Sequence, residues 1–566
     1  MYKGLFMGTL KLIGRTNGEI EKVILKNAPK NNQLTSPKIQ KDLVTCFGEV
    51  VLKNVIGEIG DDVFALLVDE SSDVSRKEQI VVVLRFVDKV GVVQERFVGI
   101  IHVMDTSVVS LKSALDALFA KHGLSFTKVR GQGYDSASNM SGKFNGLKTL
   151  ILSDNDSTFY IHCFAHQFQL VVVAVAKKHK GIKDFFDLIA LVVNSYCKRK
   201  DMIRESHKKR IQEEIGNNEI ETGKGLNQEI SLVQAGDTRW NFHLKAIVSL
   251  IALFPEVIQV LEYVEDDGDN GASRLQARGL LSYLKTFEFV FYMHLISTIL
   301  GLTNSLSQAL QRKDEDILEA IDLIGTTKGQ LQMLRENRFD QVFKKCYSFC
   351  DKYKIVKLDM AEAYVNTRNS RKRMNITNQH YYNYDIFNTI LDMQIREFGD
   401  RFGEISTDLL QNMAALNPCN SFSQFNKSSL LKLSQMYPRN FDDKERIILE
   451  HELDIYYHSV YNDVIFVNLN GIADLARLMV ATRKHLIHPL VYRLLKLTLV
   501  LPVATATVEI CFSAMKFVKT DLRNQNGDDF LNYALICTIE KEALCNVKNK
   551  DVIDRFQKMK TRRGQI

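Results

Sequence analysis

VRGQGYDSASNM, Val129 to Met140, is the stretch where a short extended run gives way to a helical pattern. Val129 opens the run, Gly131 and Gly133 punctuate it, and Asp135 stands at the junction with the hydroxyls of Ser136 and Ser138 behind it. Phe144, Leu147 and Leu150 then recur at helical spacing, so one helix is expected there. An aspartate in this position is either a cap for the helix amides or a functional group at the carboxyl end of a strand, where α/β folds place their chemistry. A partner carboxylate decides between the two.

That partner lies upstream. FALLVDES, beginning at Phe64, is a compact apolar run that ends in Asp69 and Glu70, the pattern of a buried strand reaching a site. QIVVVLRFVDK and QERFVGIIHV follow, rich in β-branched residues, with Asp88 to Gly91 as the turn of a hairpin. A helix from Ser107 to His122 closes on Gly123. After the Asp135 strand and its helix come a strand from Phe159 to His162 and an apolar helix from Gln167 to Lys177. Asp69 and Asp135 thus end the first and fourth strands. If those strands are parallel neighbours, the two carboxylates repel unless they share a cation, and a hard divalent cation such as Mg²⁺ takes carboxylate oxygens while keeping positions open for phosphate. The order of elements and the placement of the acids indicate an RNase H-like nuclease core: α/β, accompanied by a large all-α part.

The whole chain has 566 residues, enough for roughly two to four domains. With 45% apolar and 25% charged residues, wholesale disorder is excluded. No uninterrupted apolar run reaches the roughly 18 residues of a membrane span, so no membrane partner is expected. The opening MYKGLFMGTLKLIG lacks a small-residue cleavage site and is not read as a secretory signal. A formal charge of +7 permits nucleic-acid binding without requiring it. The basic clusters at Cys197–Lys200, Lys208–Arg210, Arg371–Arg373 and Lys558–Arg563 are each a solvated face or a DNA contact. Nine cysteines without regular spacing indicate a reducing compartment, and only seven prolines favour helices.

Four segments are expected. Residues 1–60 are helical, with Ser36-Pro37 as a start signal and Leu43, Phe47, Val50, Val51 and Val55 as an apolar stripe. Residues 61–183 form the first part of the core, and residues 184–490 a helical insertion with stripes at Leu250–Val264 and Leu280–Leu302. Within the insertion, Gly236 and Asp237 break a helix, Glu265 to Asn270 make an acidic loop, and Asn366 to Gln379 read as an exposed loop. No fixed-period repeat is present, and Cys346 and Cys350 on one helix face read as core thiols. Residues 491–566 close the chain. There, ATATVEICFSAMKFVK turns Val508, Phe512 and Met515 inward and sets Glu509 on an adjoining face in the first turns, at the favourable end of the helix dipole. Phe530, Leu531, Ala534, Leu535 and Ile539 make a second stripe that needs either core or a partner.

VDESSD, GQGYDSASNM, Cys163-Phe-Ala-His166, Asp237-Thr-Arg-Trp240 and LPVATATVEICFSAMKFVKTDLRN, taken in order and spacing, resemble the hAT-superfamily transposases. The likeness is to the plant TTF-type zinc-finger group related to zinc finger MYM-type protein 1, and it runs from about Gly18 through nearly the whole chain. The resemblance implies a DDE nuclease core split by a helical insertion, with Asp69 (Asp73 as second choice), Asp135 and Glu509 as the catalytic residues holding Mg²⁺ or Mn²⁺. It assigns Cys163 and His166 to the family's CxxH, and Arg239 with Trp240 to the pair that faces DNA. It makes the carboxyl-terminal region a dimerisation segment with Phe530, Leu531, Leu535 and Ile539 in contact. DNA and a second copy of the chain are the implied partners, in the nucleus. On the residues alone, the CxxH is half a zinc site or a structural or DNA-positioning element, and Trp240 is core or a base-stacking platform.

Two departures stand out. The family commonly has Arg after its catalytic Glu, where this chain has Ile510, and the amino-terminal zinc finger of full-length relatives has no counterpart, so no zinc finger is expected in this chain. Two functions follow: metal-dependent DNA cleavage and strand transfer, or a non-catalytic transposon-derived protein that binds DNA and dimerises.

Overall fold

Strand β1 (Phe64–Ser72) has five fully enclosed residues before its half-exposed carboxyl end, the burial of a strand covered on both faces. Around it the sheet runs in the order β3-β2-β1-β4-β5, with β2 Glu78–Val87, β3 Val93–Val103, β4 Val129–Tyr134 and β5 Phe159–His162. The β1–β2 and β2–β3 pairs are antiparallel, whereas β4 and β5 join β1 in parallel. This computed structural model describes residues 4–30, 33–135, 137–142, 146–197, 200–216, 232, 240–267, 271–313, 315–365, 375–403, 408–520 and 527–559. The chain divides into a sheet unit of Met1–Cys163, Arg312–Leu318 and Asp408–Ile566, and a helical unit of Phe164–Gln311 and Glu319–Thr407.

In the sheet unit, one face of the strands meets Leu111, Leu115 and Phe119 of the helix Val108–His122. That helix is capped by Ser107 and closed by Gly123 in the left-handed conformation. The expected single helix after Asp135 is instead two pieces, Ser138–Ser141 and Leu147–Asp154, with Phe144 outside the described residues. Gly146 precedes the second piece with an extended backbone, which starts a new helix rather than continuing the first.

The edge strand β3 is covered by the chain's own end. The helix Asp528–Ile539 packs on β3 and on the helix Pro37–Ile59, where Tyr533 lies over Gly48 so closely that a side chain there would collide. Asn532 accepts from Ile100 N–H at 2.9 Å, and Glu540 accepts from Phe97 N–H at 2.7 Å, so amides that an open edge would offer to another chain are satisfied. The stripe expected to serve dimerisation finds its cover here. Leu531 and Leu535 are fully buried in the sheet unit's core, Ile539 packs against it, and Phe530 lies under Lys41. Their apolar demand is met inside one chain.

The expected limits of the insertion, residues 184–490, also shift. Residues 408–490 group with the sheet: Tyr437 meets Phe159 edge-on, Arg439 pairs with Asp156 at 3.1 Å, and Arg130 donates to Asn440.

Inside the helical unit, the stripe Leu250–Val264 is broken into Trp240–Ala252 and Phe254–Asp267, with a bend of 79°. Pro255 lacks an amide proton and sits in the first turn of the second helix. Glu256 then accepts from Arg210 at 2.6 Å beside His207, which removes Arg210 from the set of solvated cations. The stripe Leu280–Leu302 likewise breaks at Thr286, whose hydroxyl caps the helix Phe287–Ala309. That helix is apolar and long enough to cross a membrane, contrary to the reading from uninterrupted runs. Its apolar window is 61% buried, among Phe185, Phe254, Phe349 and Tyr382. Core packing accounts for its composition. Gly236, Asp237 and most of the loop Asn366–Gln379 fall outside the described residues.

Candidate functional site

The parallel register sets Leu67 opposite Gly133 and Gly133 opposite Ile161. Because side chains repeat every second residue along a strand, the next positions on that face are Asp69 within β1 and Asp135 and Cys163 directly after β4 and β5. The ladder continues into this row, since Cys163 N–H donates to the carbonyl of Tyr134 at 3.2 Å. Adjacent strands run about 4.8 Å apart, so the row brings Asp69 beside Asp135. Asp135 also accepts from Ala137 N–H at 3.0 Å, a capping-type turn, so it is both the local cap and a member of the row. Glu70 belongs to the opposite face, where it accepts from Asn139 at 3.0 Å and steadies the loop after Asp135 from behind.

Glu509 arrives from the far end of the chain. It sits in the first turn of the helix Ala506–Val518, which buries Val508, Cys511, Phe512 and Met515 against β1, β2 and β3. The inward face expected from the sequence is the one observed. Three contacts seat the segment leading into this helix. Pro502 lies flat on Gly131 and Gly133, where an added Cβ would come within 2.8 Å and 2.9 Å of its ring. Thr505 donates to Cys163 Sγ from both its amide and its hydroxyl, each at 3.2 Å. Thr507 donates to Glu95, a carboxylate held at 2.8 Å by the fully buried Arg85. Arg85 further donates to the carbonyls of Leu499, Lys313 and Glu315 at 3.0, 2.9 and 2.7 Å.

These placements load negative charge onto one spot. Burial, then the charges of Asp135 and Glu509, and also that of Glu70, push the Asp69 carboxyl up to about 7, against the pull of the Glu70 amide that it accepts at 2.9 Å. Asp73 is the opposite case. Burial would raise it, yet the Lys519 ammonium, Gln79 at 3.0 Å and the amides of Lys77 and Ser75 hold it below the usual carboxylate range. Asp73 is committed to Lys519, and Asp69 is the aspartate left with a charge to place.

Among the described residues, no group of three or more His, Cys, Asp or Glu side chains is gathered tightly enough to enclose a metal ion. Mg²⁺ seldom needs such an enclosure. It is commonly bound through one or two carboxylates, with waters and substrate phosphates completing its shell. The paired aspartates, with Glu509 in electrostatic reach, fit a cation shared with a phosphate and do not form an all-protein cage.

Cys163 is buried in the sheet unit, whereas His166 lies half-buried on the helix Phe164–Lys178 of the helical unit. Arg239 is outside the described residues, and Trp240 is described only as the first residue of its helix. Lys209 pairs with Glu205 at 3.3 Å on an exposed helix face. The clusters at 371–373 and 560–563 are outside the described residues. Sequence reading passed over Arg85, Glu95 and Lys519. The signal for two of them was present: a lone arginine inside QIVVVLRFV, and a lysine closing an apolar helix that has an acidic strand end to meet.

The family described as "DUF4371: ZMYM1/FAM200, RNase-like domain" matches residues 1–146, which hold Asp69 and Asp135 but not Glu509. The "52 kDa repressor of the inhibitor of the protein kinase" of Homo sapiens is 21% identical over 520 residues, 88% of this chain and 64% of that protein. The Mus musculus protein of the same name is 21% identical over 521 residues, 88% of this chain and 65% of its own length. The chain therefore spans a little under two thirds of the length of these relatives.

Proposed function

We propose that this chain is a transposon-derived, hAT-type protein whose RNase H-like unit retains a DDE-type site, Asp69, Asp135 and Glu509, for cation-dependent phosphodiester cleavage and strand transfer on DNA. The observation that carries this reading is the row of Asp69 and Asp135 just beyond the last β1–β4 pair, with the Glu509 helix docked over the same face. The likeness of residues 1–146 to an RNase-like domain supports it. When bound, Mg²⁺ or Mn²⁺ supplies positive charge to the phosphate and acidifies a coordinated water. Asp69 and Asp135 offer oxygens at adjacent strand ends, and Glu509 approaches from the helix above them. The proton that Asp69 retains near neutral pH is the one a cation displaces. Arg239, Trp240 and His166 are proposed to meet the DNA, in the nucleus. Any homodimer would use a surface other than Leu531 and Leu535, which the chain buries in itself.

A second reading, a non-catalytic regulator with the same fold, is favoured by one position. Ile510, beside Glu509, is 42% exposed and offers no cation where the resembled family has arginine. The word "repressor" in the relatives' names agrees with it. Incubation of supercoiled plasmid with the protein and Mn²⁺ separates the two. Nicking by the wild type that is lost in Asp135→Asn, an isosteric change that removes the charge, establishes the enzyme. A folded wild type that leaves the plasmid intact establishes the regulator.

A further inference from the structure

We infer that Cys163 is a positioning residue for Glu509, acting through Thr505. Its functional meaning rests on the site proposed above, but its structural basis does not.

Cys163 is 1% exposed, which removes it from any direct part in holding DNA. Among the described residues, no group of three or more metal-ligating side chains forms around it. The sulfur is instead used as an acceptor. Thr505 occupies the N-cap position of the Glu509 helix, where a threonine hydroxyl ordinarily accepts from the helix's own first amides. Here that hydroxyl makes no capping bond. It is turned toward Cys163 and donates to Sγ at 3.2 Å, while the Thr505 amide donates to the same sulfur at 3.2 Å. Two donors from one buried residue on one thiol sulfur fix both the place and the rotation of the helix start.

The other end of this strut is equally fixed. Cys163 follows β5 directly, and its amide donates to the carbonyl of Tyr134, the residue before Asp135. The sulfur therefore stands in the same row as Asp69 and Asp135. Through it, the rotation of a helix from the far end of the chain is referred to the strand ends that carry the two aspartates. Glu509 is four residues from Thr505 and donates its amide to the Thr505 carbonyl at 3.1 Å, so one helical turn transmits the setting.

The full chain is tested by hydrogen exchange, comparing wild type, Cys163→Ala and Cys163→Ser, together with a calorimetric titration by MnCl₂. Cys163→Ala leaves the buried Thr505 amide without its acceptor, so residues 503–510 exchange about tenfold faster while β1 and β4 are unchanged. Cys163→Ser, which restores an acceptor, returns most of the protection. Mn²⁺ affinity follows the same order, falling about tenfold in the alanine variant, the effect of a misaligned carboxylate, and recovering with serine. Unchanged exchange at 503–510 in Cys163→Ala overturns the inference. If Cys163→Ala loosens the whole sheet, Thr505→Ala removes the hydroxyl from the other side. Local loosening confined to 503–510 in that variant upholds the strut, and its absence overturns it. A wild type that binds no Mn²⁺ while the exchange pattern holds rejects the proposed function and leaves the positioning role standing.

Discussion

The two ends of the helix Ala506–Val518 meet the same sheet under opposite electrostatic terms. At its carboxyl end, Lys519 is 1% exposed and pairs with Asp73, whose remaining lone pairs are taken by Gln79 and two backbone amides. Opposite charges are buried together and every partner is supplied. At its amino end, Glu509 joins Asp69 and Asp135, charges of one sign, and their repulsion adds to burial in raising the Asp69 carboxyl. A helix placed only for stability would not be docked this way at both ends. One end holds the fold together, while the other keeps a conflict that a cation or a proton must resolve, as functional sites commonly do.

The largest expected effect falls on the satisfied end. Lys519→Met leaves Asp73 buried without its counter-charge and should cost about 3–5 kcal/mol in denaturant unfolding. Adding Asp73→Leu should recover much of that loss, because two apolar side chains replace the pair without an orphan charge. If Lys519→Met costs no more than Lys516→Met, a change at an exposed lysine of the same helix, the carboxyl end is not a lock and the contrast collapses.

The conflicted end predicts the reverse sign. The folded carboxyl of Asp69 titrates near 7 while its unfolded value lies near 3.8. Well below pH 4 both states hold the proton and there is no burden. Between pH 4 and 7 the folded state binds the extra proton and stability falls as pH rises; above 7 the burden is complete. Asp69→Asn should therefore stabilise the protein at pH 8, by about 1–3 kcal/mol, and lose that advantage at pH 4. For the same reason, Mn²⁺ affinity of the wild type should rise with pH through 7. Urea unfolding at the two pH values checks the first expectation, and a destabilised Asp69→Asn at pH 8 contradicts it.

Between the ends lies the saddle that seats Pro502. Gly133→Ala would bring a methyl group to 2.9 Å from the proline ring, against a buried neighbour with little room to retreat. About 1–2 kcal/mol of destabilisation is expected, together with weaker Mn²⁺ binding as the helix start lifts. Thermal unfolding and titration of the variant measure both, and a loss of stability without a loss of affinity would uncouple the saddle from the site.

What the sequence displayed and what it hid follow from the range of the forces involved. Strand ends, the Ser36 and Ser107 caps, the Gly123 stop and the inward face of the Glu509 helix are local, and each was readable from a few residues. Asp69 was legible because an apolar run stops at it, although β1 itself continues to Ser72, and Asp135 because it follows a short extended run directly. The glycines of VRGQGYD read as punctuation, and only the fold reveals that they are cut away for Pro502. The stripe of Leu531 and Leu535 was correctly apolar, but an apolar stripe does not state whether its cover is another chain or, as here, β3 and the helix Pro37–Ile59. Long-range pairs such as Asp73 with Lys519 and Cys163 with Thr505 leave no mark in either segment alone.

The smallest expected change in stability tests the conflicted end most directly. Ile510 is 42% exposed, so Ile510→Arg should alter stability by no more than about 0.5 kcal/mol. Electrostatically it is not neutral. It places a guanidinium one residue from Glu509, near carboxylates whose repulsion adds to burial in raising Asp69. A nearby cation favours the ionised form, so the fall in stability between pH 4 and 7 should become shallower and end at a lower pH than in the wild type. The same group offers a bidentate grip to phosphate, so plasmid nicking in Mn²⁺ should rise if the site is catalytic. The two readouts separate the claims. A shifted pH profile without nicking means that the charges are gathered but idle, which is the regulator. An unshifted profile means that Glu509 and its neighbour do not share a field with Asp69, and the contrast between the two ends of the helix would fail at its amino end.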